Sequence, residues 1–332
     1  MQYPIEKSIN FKNLIVVKMQ FESFNLQEFE HSSGPLRKQK VQELDQICQN
    51  SGFLLLSGHG VPLKIIRAQW DAVSTFFAGN IETKEKVAIP YSGYPYGWIG
   101  PKQEALAASK GKKTPPDLKE SFNGGPLLIP EGIKDLNAYE FCYQPTLWPE
   151  IKDFKIAWEA YYVEMERLAR RLMSAFAEAL GLNKEFFNPY ISNPISALRA
   201  LFYSATSSSK EVGQQRAGAH TDYGSLTILL PQPGSTGLQI LTRKKWIPVP
   251  AKENCFVINI GDLMALWTSN RWVSTLHRVV AKPNQPARQS LAYFHQPDWD
   301  AVISPIKDSD TTNAVISGPY LMEKFKSTNI DN

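Results

Sequence analysis

The sequence predicts an α+β, mainly β protein: a double-stranded β-helix (jelly roll) with flanking N-terminal helices and one long supporting helix. Two observations carry this prediction. From Ser196 onward the chain consists of short apolar runs separated by turn residues, which is typical of the closely spaced strands of a jelly roll. In the first half, apolar residues instead recur with the 3.6-residue period of amphipathic helices.

Two helices and a buried strand are predicted near the N-terminus. Residues 37–50 and 63–77 carry apolar side chains at helical spacing, and residues 53–56 form an unbroken apolar run. The pairs Ser51-Gly52 and Gly79-Asn80 supply the two helix ends. The apolar face of the first helix comprises Val41, Leu44, Ile47 and Cys48.

Residues 90–130 form a long, weakly periodic segment rich in Gly, Pro, Lys and aromatic residues. Long ordered loops often carry function, so this segment is a candidate lid that contacts a substrate. A variable surface loop without such a role is the alternative. Within the segment, Tyr94, Tyr96 and Trp98 either shape the entrance of a pocket or simply pack.

The clearest helix is predicted over residues 151–180. Gly181 follows it and suits a C-terminal cap, because glycine readily adopts the left-handed conformation found there. The apolar stripe of this helix consists of Trp158, Tyr162, Met165, Leu168, Leu172, Phe176 and Ala179. A stripe of this kind predicts a helix that lies along one face of the sheet as a support.

One compact unit, residues 1–332, is predicted rather than two independent domains. It divides into an N-terminal helical and strand region (1–130), a supporting-helix region (131–195), the jelly-roll core (196–300) and a C-terminal segment (301–332). The predicted strands of the core are Leu198–Tyr203, Leu226–Leu230, Leu238–Leu241, Trp246–Val249, Cys255–Ile260, Met264–Trp267, Thr275–Val280 and Ser290–His295.

Composition limits the partners of the chain. A net charge of +4 over 332 residues, with only short basic clusters, does not predict a nucleic-acid-binding stripe. No apolar run is long enough to span a membrane, and residues 1–11 lack the apolar core of a signal peptide. Three widely spaced cysteines favour a reducing compartment. We therefore expect a cytoplasmic protein, a monomer or weak homo-oligomer, whose partner is a small-molecule substrate.

His220 and Asp222 form an H-x-D triplet, and His277 lies 57 residues further on in a chain with only five histidines. Side chains at positions i and i+2 of a strand point to the same face, so the imidazole at 220 and the carboxylate at 222 can reach one cation. A second imidazole from a distant strand completes a set of two histidines and one carboxylate, the arrangement of non-haem Fe(II) oxygenases. An ordinary structural His–Asp pair is the alternative.

Arg288 follows His277 by eleven residues, and Ser290 lies on the same strand face as Arg288. A guanidinium group binds a carboxylate bidentately, and the neighbouring hydroxyl adds one donor. The pair favours a clamp for the far carboxylate of a 2-oxo diacid that chelates iron through its other end; a structural ion pair is the alternative. Phe294, on the same face, either lines the pocket or fills the barrel, whereas His295 is expected to face away.

Seven motifs span nearly the whole chain: GFLLLSGHGVP (52–62), DLKESF (117–122), HTDYGSLT (220–227), NIGD (259–262), WT (267–268), STLHRV (274–279) and RQS (288–290). In this order they resemble the Fe(II)/2-oxoglutarate-dependent dioxygenases of the isopenicillin N synthase-like family. The resemblance implies Fe(II), 2-oxoglutarate and O2 as cofactors. It also implies metal ligation by His220, Asp222 and His277, and co-substrate binding by Arg288, Ser290 and Tyr203.

The resemblance further implies an oxidoreductase that couples decarboxylation of 2-oxoglutarate to oxidation of a small molecule, with hydroxylation as the default and desaturation or cyclisation as alternatives. One position departs from the family. Many members carry an N-x-Y element that helps to hold the co-substrate, and here the stretch is Leu201-Phe202-Tyr203. Leu201 therefore keeps open a 2-oxoglutarate-independent Fe(II) oxidase. A catalytically silent small-molecule-binding relative and a zinc hydrolase are further alternatives.

Overall fold

The structure is a computed structural model that describes residues 21–111, 115–206, 213–306 and 314–326. The outer limits of the predicted first and last regions, at residues 1 and 332, lie outside these ranges. The helices are α1 (Leu26–His31), α2 (Gly34–Asn50), α3 (Leu63–Ala78), α4 (Ile81–Glu85), α5 (Leu136–Cys142), α6 (Phe154–Ala179), α7 (Asp262–Trp267) and α8 (Ser317–Lys326).

The strands of the first half and the centre are β1 (Ser23–Asn25), β2 (Phe53–Ser57), β3 (Trp98–Ile99), β4 (Glu120–Gly124), β5 (Ala197–Tyr203), β6 (Gln215–His220) and β7 (Leu226–Pro231). The remaining strands are β8 (Leu238–Thr242), β9 (Lys245–Pro248), β10 (Phe256–Ile260), β11 (His277–Val280), β12 (Arg288–His295), β13 (Val302–Ile303) and β14 (Val315–Ile316). Short 3-10 helices cover Leu106–Lys110 and Asn188–Tyr190.

Two antiparallel-rich sheets build the jelly roll. The larger sheet has the strand order β1-β2-β10-β7-β12-β5-β4-β3, and the smaller sheet has the order β6-β11-β8-β9. Strands from the first half join the larger sheet because β2 pairs with β10 and β4 pairs with β5. The predicted fold class, a jelly roll with flanking helices, is confirmed.

Alternating side chains of the larger sheet pack into two different cores. In β5, Leu198 and Ala200 belong to the large core that the helices cover, whereas Leu201 and Tyr203 belong to a smaller cluster inside the roll. This alternation follows from the two-residue period of a strand. It means that every second residue of β5 and β12 faces the interior of the roll.

The long helix α6 supports the outer face of the larger sheet, as predicted. It packs against α2, α3 and β12, and its Tyr162 hydroxyl donates to the carbonyl oxygen of Ser196 at 2.9 Å. The helix begins at Phe154, three residues later than predicted, because Asp153 adopts the left-handed conformation with φ 62°. Its buried stripe contains all seven apolar residues named from the sequence.

The predicted N-terminal elements are also confirmed, with small changes at their ends. Helix α2 starts at Gly34 rather than residue 37, because Pro35 fits the first helical turn. The turn between α2 and β2 requires Gly52, which has φ 61° and would place a β-carbon 2.0 Å from the carbonyl oxygen of Val273.

One predicted strand is wrong. Met264–Trp267 lies in α7, which begins immediately after the cap residue Gly261. A short apolar run has no periodicity that distinguishes a buried helix turn from a buried strand, and this one is buried on most sides. Strand β6, by contrast, was not among the predicted strands, because its sequence QRAGAH is neither apolar nor rich in β-branched residues. Among the helices of the described ranges, none is long and apolar enough to cross a membrane.

Candidate active site

A cavity of about 440 Å³ opens into the interior of the roll. Its walls come from inward-facing residues of both sheets, from the segment between residues 89 and 106, and from α8. All six residues singled out from the sequence as metal or co-substrate ligands line it: His220, Asp222, His277, Arg288, Ser290 and Tyr203.

The H-x-D triplet does not lie on one strand. His220 is the last residue of β6, and Asp222 lies two residues beyond it in the connection to β7, so the expected i, i+2 strand geometry is wrong. The three side chains meet nevertheless. Potential ligand atoms of His220, Asp222 and His277 all lie within 4.8 Å of one another, which is a spacing that one metal ion can bridge.

Both imidazoles present the same nitrogen to the cavity. The Nδ1 atoms of His220 and His277 lie 2.7 Å and 3.1 Å from the carbonyl oxygens of Gly218 and Thr275, where Nδ1–H donates. The Nε2 atoms are then free as ligands, and they lie 3.8 Å and 3.5 Å from Oδ1 of Asp222. A hydrogen bond at the far nitrogen fixes tautomer and ring orientation, as metal-binding histidines require.

The other oxygen of Asp222 is held by two donors. Thr227 Oγ1 donates to Oδ2 at 2.5 Å, and Asn259 Nδ2 donates to Oδ2 at 2.8 Å. Asn259 belongs to the NIGD motif, so the motif contributes directly to the site. These two bonds leave Oδ1 of Asp222 directed at the imidazoles.

The protonation states of His220, Asp222 and His277 favour the binding of a cation. Burial, together with the neighbouring His277, lowers the pKa of His220 to about 3, so this imidazole is neutral at ordinary pH. Burial opposes ionisation of Asp222, but the charge of His277 outweighs it and holds the pKa of Asp222 below its usual range. Burial would lower the pKa of His277, but the Asp222 carboxylate raises it. A proton on His277 therefore balances the negative charge of Asp222, which a metal ion bound at this site would balance instead.

A chain of polar contacts lies behind the triad. Thr221 Oγ1 donates to Asp262 Oδ2 at 3.2 Å, and Ser274 Oγ donates to Asp262 Oδ1 at 2.6 Å. Lys110 Nζ donates to Thr221 Oγ1 at 2.8 Å. Asp262 is the first residue of α7, and it links the segment after His220 to the residues before His277.

Arg288 and Ser290 carry unsatisfied buried polar atoms. The Nε of Arg288 and the Oγ of Ser290 have no hydrogen-bond partner among the described residues, although the two residues are 4% and 1% exposed. Among the described residues, no carboxylate lies within 4.0 Å of Arg288, so the alternative of a structural ion pair has no support there. Buried polar atoms are nearly always paired. A carboxylate ligand would supply the missing acceptor.

Tyr203 stands beside this pair. It is the register partner of Arg288 on the neighbouring strand β5, and the guanidinium carbon of Arg288 lies 4.7 Å from the centre of its ring. Burial lowers the pKa of Arg288, while the neighbouring Tyr203 opposes that shift. The three residues thus form one group at one end of the cavity.

A second arginine, which the sequence argument missed, supports this group. Arg216 is 1% exposed, and its Nη2 donates to the carbonyl oxygens of Ser204 and Pro286 at 2.7 Å and 2.6 Å. Ser204 follows Tyr203, and Pro286 precedes Arg288 by two residues. Burial and the charge of Arg288 lower the pKa of Arg216, so the two guanidinium groups lie close enough to repel each other.

Leu201 lies between two buried hydroxyl groups. It is the register partner of Ser290 on β12 and of Ser121 on β4. Neither hydroxyl oxygen has a hydrogen-bond partner within the part of the chain that the structure describes. The position that carries Asn in many family members is therefore apolar here, but its polar neighbours remain.

His59, His295 and Phe294 differ in their position relative to the cavity. His59 Nδ1 accepts from the backbone N–H of Val61 at 3.1 Å, so this histidine stabilises a turn. His295 contacts Ser225 at 2.6 Å and faces away from the cavity, as expected. Phe294 lines the cavity.

The aromatic residues of segment 90–130 have different roles. Tyr94 and Tyr96 line the cavity, so this segment contributes to the entrance. Trp98 instead packs in the core and donates its indole N–H to Glu120 at 2.7 Å.

A further polar cluster, also missed from the sequence, lines the cavity beside β4 and β5. Glu104, in the loop after β3, accepts from Lys119 Nζ and from Arg199 Nη1, the latter at 3.2 Å. Burial opposes ionisation, but Arg199 and Lys119 lower the pKa of Glu104 to about 2. Asn123 is the register partner of Arg199. Residues 104 and 199 are 95 positions apart, so no local pattern joins them.

The fold and this donor set define the class of non-haem iron enzymes, in which two histidines and a carboxylate hold the metal. Comparison with known proteins narrows the class. A family model described as the 2OG-Fe(II) oxygenase superfamily matches residues 194–297. A second model, described as the non-haem dioxygenase in morphine synthesis N-terminal, matches residues 22–151.

Full-length relatives agree with these matches. The 2-oxoglutarate-dependent dioxygenase caaD of Aspergillus niger is 30% identical over 94% of this chain and 94% of its own length. Validamycin A dioxygenase of Streptomyces hygroscopicus subsp. limoneus is 32% identical over 81% of this chain and 75% of its own. The crystal structure of a full-length Neurospora crassa protein in complex with alpha-KG and thymine superposes with a TM-score of 0.79 and 26% identity, covering 92% of this chain and 96% of that one.

The chain belongs to the Fe(II)- and 2-oxoglutarate-dependent dioxygenases. It is an oxidoreductase that uses Fe(II), 2-oxoglutarate and O2, and it couples decarboxylation of 2-oxoglutarate to oxidation of a small molecule.

Proposed function

We propose that His220, Asp222 and His277 hold the Fe(II) ion, and that Arg288 and Ser290, with Tyr203, bind the far carboxylate of 2-oxoglutarate. One observation carries this assignment: the orphaned Nε of Arg288 and Oγ of Ser290 line the same cavity as the convergent triad. The donor set fits the metal, because two neutral imidazole nitrogens and one carboxylate oxygen suit Fe(II). The orphaned donors fit a carboxylate.

When bound, Fe(II) and 2-oxoglutarate supply the oxidising chemistry, in which O2 is reduced as the keto acid loses CO2 and becomes succinate. The protein supplies geometry. Gly218 and Thr275 fix the two imidazoles, while Thr227 and Asn259 hold Asp222 by its outer oxygen. An Fe(II) ion held by these three side chains would keep positions for the co-substrate and O2. The apolar lining of the roll limits the access of water to the oxidising centre.

The substrate is proposed to enter between Tyr94, Tyr96 and α8, whose Leu321, Met322 and Phe325 also line the cavity. Hydroxylation is the proposed default outcome, with desaturation or cyclisation as alternatives. The relatives and the Neurospora crassa complex with thymine support a small-molecule substrate.

The setting of this activity is also a proposal. We infer that the chain forms one compact unit with the region limits predicted from the sequence. It acts as a monomer or weak homo-oligomer. A cytoplasmic location is supported by Cys48, Cys142 and Cys255, which are all free thiols.

Leu201 is the residue that kept a 2-oxoglutarate-independent oxidase open in the sequence, and the family assignment favours the 2-oxoglutarate-dependent activity instead. An apolar residue between Ser121 and Ser290 removes one polar contact that the co-substrate has in many relatives. Measurement of succinate tests the effect of this replacement directly: we expect one succinate per substrate oxidised, and oxidation without succinate would contradict 2-oxoglutarate dependence.

The direct test is anaerobic reconstitution with Fe(II), with and without 2-oxoglutarate, read by visible absorption. Chelation of iron by the keto acid produces a weak charge-transfer band. We expect the band in the wild type, its loss in Asp222→Ala, and a strongly raised 2-oxoglutarate requirement in Arg288→Ala. A band that saturates at the same 2-oxoglutarate concentration in Arg288→Ala would exclude the clamp role.

A further inference from the structure

We propose that Arg199 and Asn123 form a subsite for a carboxylate group of the primary substrate, which is then a small organic acid with an aromatic or cyclic body. The inference rests on the proposed function, because it treats the cavity as the substrate pocket. It deepens that function by naming the chemical class of the primary substrate of this chain.

The subsite is separate from the co-substrate clamp. Arg199 and Tyr203 both face the interior of the roll on β5, and four residues of strand place them about 13 Å apart along the chain. Arg199 is paired with Ala292 and Tyr203 with Arg288 on the next strand. The cavity is therefore lined by two separate arginines, Arg288 beside Tyr203 and Arg199 beside Asn123.

Arg199 is only partly used by its protein neighbours. Its hydrogen bonds to described residues all run from Nη1, to Oε1 and Oε2 of Glu104 at 3.2 Å and 3.5 Å. A guanidinium group that is satisfied by a carboxylate normally makes two parallel bonds from two nitrogens. The donors on Nε and Nη2 of Arg199 are therefore left for a ligand.

Neither end of the Asn123 side-chain amide has a hydrogen-bond partner in residues 21–111, 115–206, 213–306 and 314–326. Its Nδ2 and Oδ1 are both buried and unpaired, the residue is 4% exposed, and it lines the cavity. A buried amide with neither end bonded is costly, by the desolvation of each polar atom. Because Asn123 stands directly opposite Arg199 in the register, one bound group can reach both side chains.

The charge around Arg199 favours an anion. Arg199 and Lys119 share the single carboxylate of Glu104, and no other carboxylate of the described residues lies within 4.0 Å of either cation. Asp117 is nearby, but its two oxygens accept from the backbone N–H groups of Leu106 and Gly218. Two cations thus face the cavity with one acid between them.

The rest of the wall defines the body of the ligand. Tyr94, Tyr96, Ile99, Leu106 and Phe294 line the cavity around this subsite, and aromatic walls of this kind bind flat or cyclic apolar groups. A ring bearing one carboxylate satisfies both requirements: the acid group reaches Arg199 and Asn123, and the ring packs on the aromatic side chains.

The test uses ligand-observed NMR on the full chain loaded with Zn(II) and saturating 2-oxoglutarate, so that no turnover occurs and the clamp at Arg288 is filled. The probes are benzoate, cinnamate and 3-phenylpropionate, each compared with its primary amide. At least one acid is expected to bind saturably and more tightly than its amide. Arg199→Gln should weaken binding of that acid about tenfold or more, because a charge-assisted pair is lost.

Two further variants make the result decisive. Asn123→Asp places a carboxylate beside Arg199 and should exclude the acid probe while binding of the amide changes little; it also serves if Arg199→Gln does not fold. Arg67→Gln removes a charge from the exposed face of α3 and is the matched control, with binding unchanged. Thermal unfolding of each variant verifies folding.

Equal binding of acid and amide to the wild type, an unchanged affinity in Arg199→Gln or Asn123→Asp, or no saturable binding of any of the three acids would each overturn the proposal. Failure of the proposed function is distinguishable, because the absorption band of iron with 2-oxoglutarate is measured separately. Loss of the band with the acid preference intact would contradict only the co-substrate assignment.

Discussion

His220 and His277 are register partners on the adjacent antiparallel strands β6 and β11, and the centres of their rings are 4.3 Å apart. Each ring bonds through Nδ1 to a carbonyl oxygen two residues earlier in its own chain segment. The pairing of the strands therefore sets the separation of the two imidazoles. Asp222, the third potential metal ligand, lies in the connection after β6, where strand geometry does not fix the direction of its side chain.

We expect Asp222→Ala to lower the affinity for Fe(II) by more than about 100-fold, since loss of even the groups behind metal ligands commonly costs 10- to 100-fold. Removing the carboxylate takes away both a ligand and the charge that balances the cation. The measurement is an anaerobic Fe(II) titration with metal analysis of the isolated protein. Asp71→Ala, on the exposed face of α3, is the control. A variant at position 222 that still binds one Fe(II) tightly would contradict the triad.

A smaller effect is expected from Thr227→Val, which keeps the size of the side chain and removes the hydroxyl that donates to Asp222 at 2.5 Å. Asn259 still holds the same oxygen, so the carboxylate loses one of two restraints. Affinity for Fe(II) should fall about tenfold, with little change in the 2-oxoglutarate requirement at saturating iron. If affinity for iron stays at the wild-type value, this bond has no role in positioning Asp222.

Much of the site follows from local sequence patterns. H-x-D and R-x-S are short motifs, and the two-residue period of a strand places Arg288 and Ser290 on one face. The spacing of the H-x-D pair predicts that the side chains of His220 and Asp222 approach one point. The strand ends at His220, but the side chain two residues further on still reaches the cavity. Helix α6 was predictable for a similar reason: its period continues over many turns.

Other parts depend on contacts between distant residues. Arg216 supports the co-substrate end through backbone carbonyls that no motif marks, and Glu104 meets Arg199 across 95 positions of chain. The Met264–Trp267 run shows that even a short segment can be ambiguous in the sequence. Four apolar residues are compatible with either element, and only the cap at Gly261 and the packing around α7 decide between them.

Arg216→Met is expected to raise the KM for 2-oxoglutarate about tenfold, with a smaller change in kcat. The substitution leaves the carbonyl oxygens of Ser204 and Pro286 without a donor, and each unpaired buried group costs about 1–3 kcal/mol. The segments carrying Tyr203 and Arg288 should therefore lose their alignment. Arg278→Met is the matched control, because that arginine stacks on Trp246 away from the cavity. Equal effects of the two variants on KM would argue against a positioning role for Arg216.

Leu201→Asn should tighten binding of 2-oxoglutarate several-fold, since a net hydrogen bond contributes about 0.5–1.5 kcal/mol. An amide at this position lies between the unpaired hydroxyls of Ser121 and Ser290 and can bond to both them and the co-substrate. Leu201→Met keeps the site apolar and is the control. The measurement is the 2-oxoglutarate dependence of the charge-transfer band. Weaker binding in the Asn variant than in the Met variant would show that the apolar contact itself holds the co-substrate.

The affinity for metal should fall as the pH is lowered, and His277 should be the cause. The Asp222 carboxylate raises the pKa of His277 above 6.5 in the metal-free protein, so a metal ion must displace a proton below that raised pKa and binds without competition above it. His220, with its pKa lowered to about 3, is already neutral and contributes no proton. The apparent affinity for metal should therefore fall about tenfold for each pH unit below the pKa of His277.

Calorimetric titration with Ni(II), in two buffers of different ionisation enthalpy, counts the released protons. One proton per metal in the acidic range is expected, and none at higher pH. Proton release close to two would mean that His220 is also charged, and a pH-independent affinity between about pH 5 and 8 would mean that the Asp222 carboxylate does not hold a proton on His277.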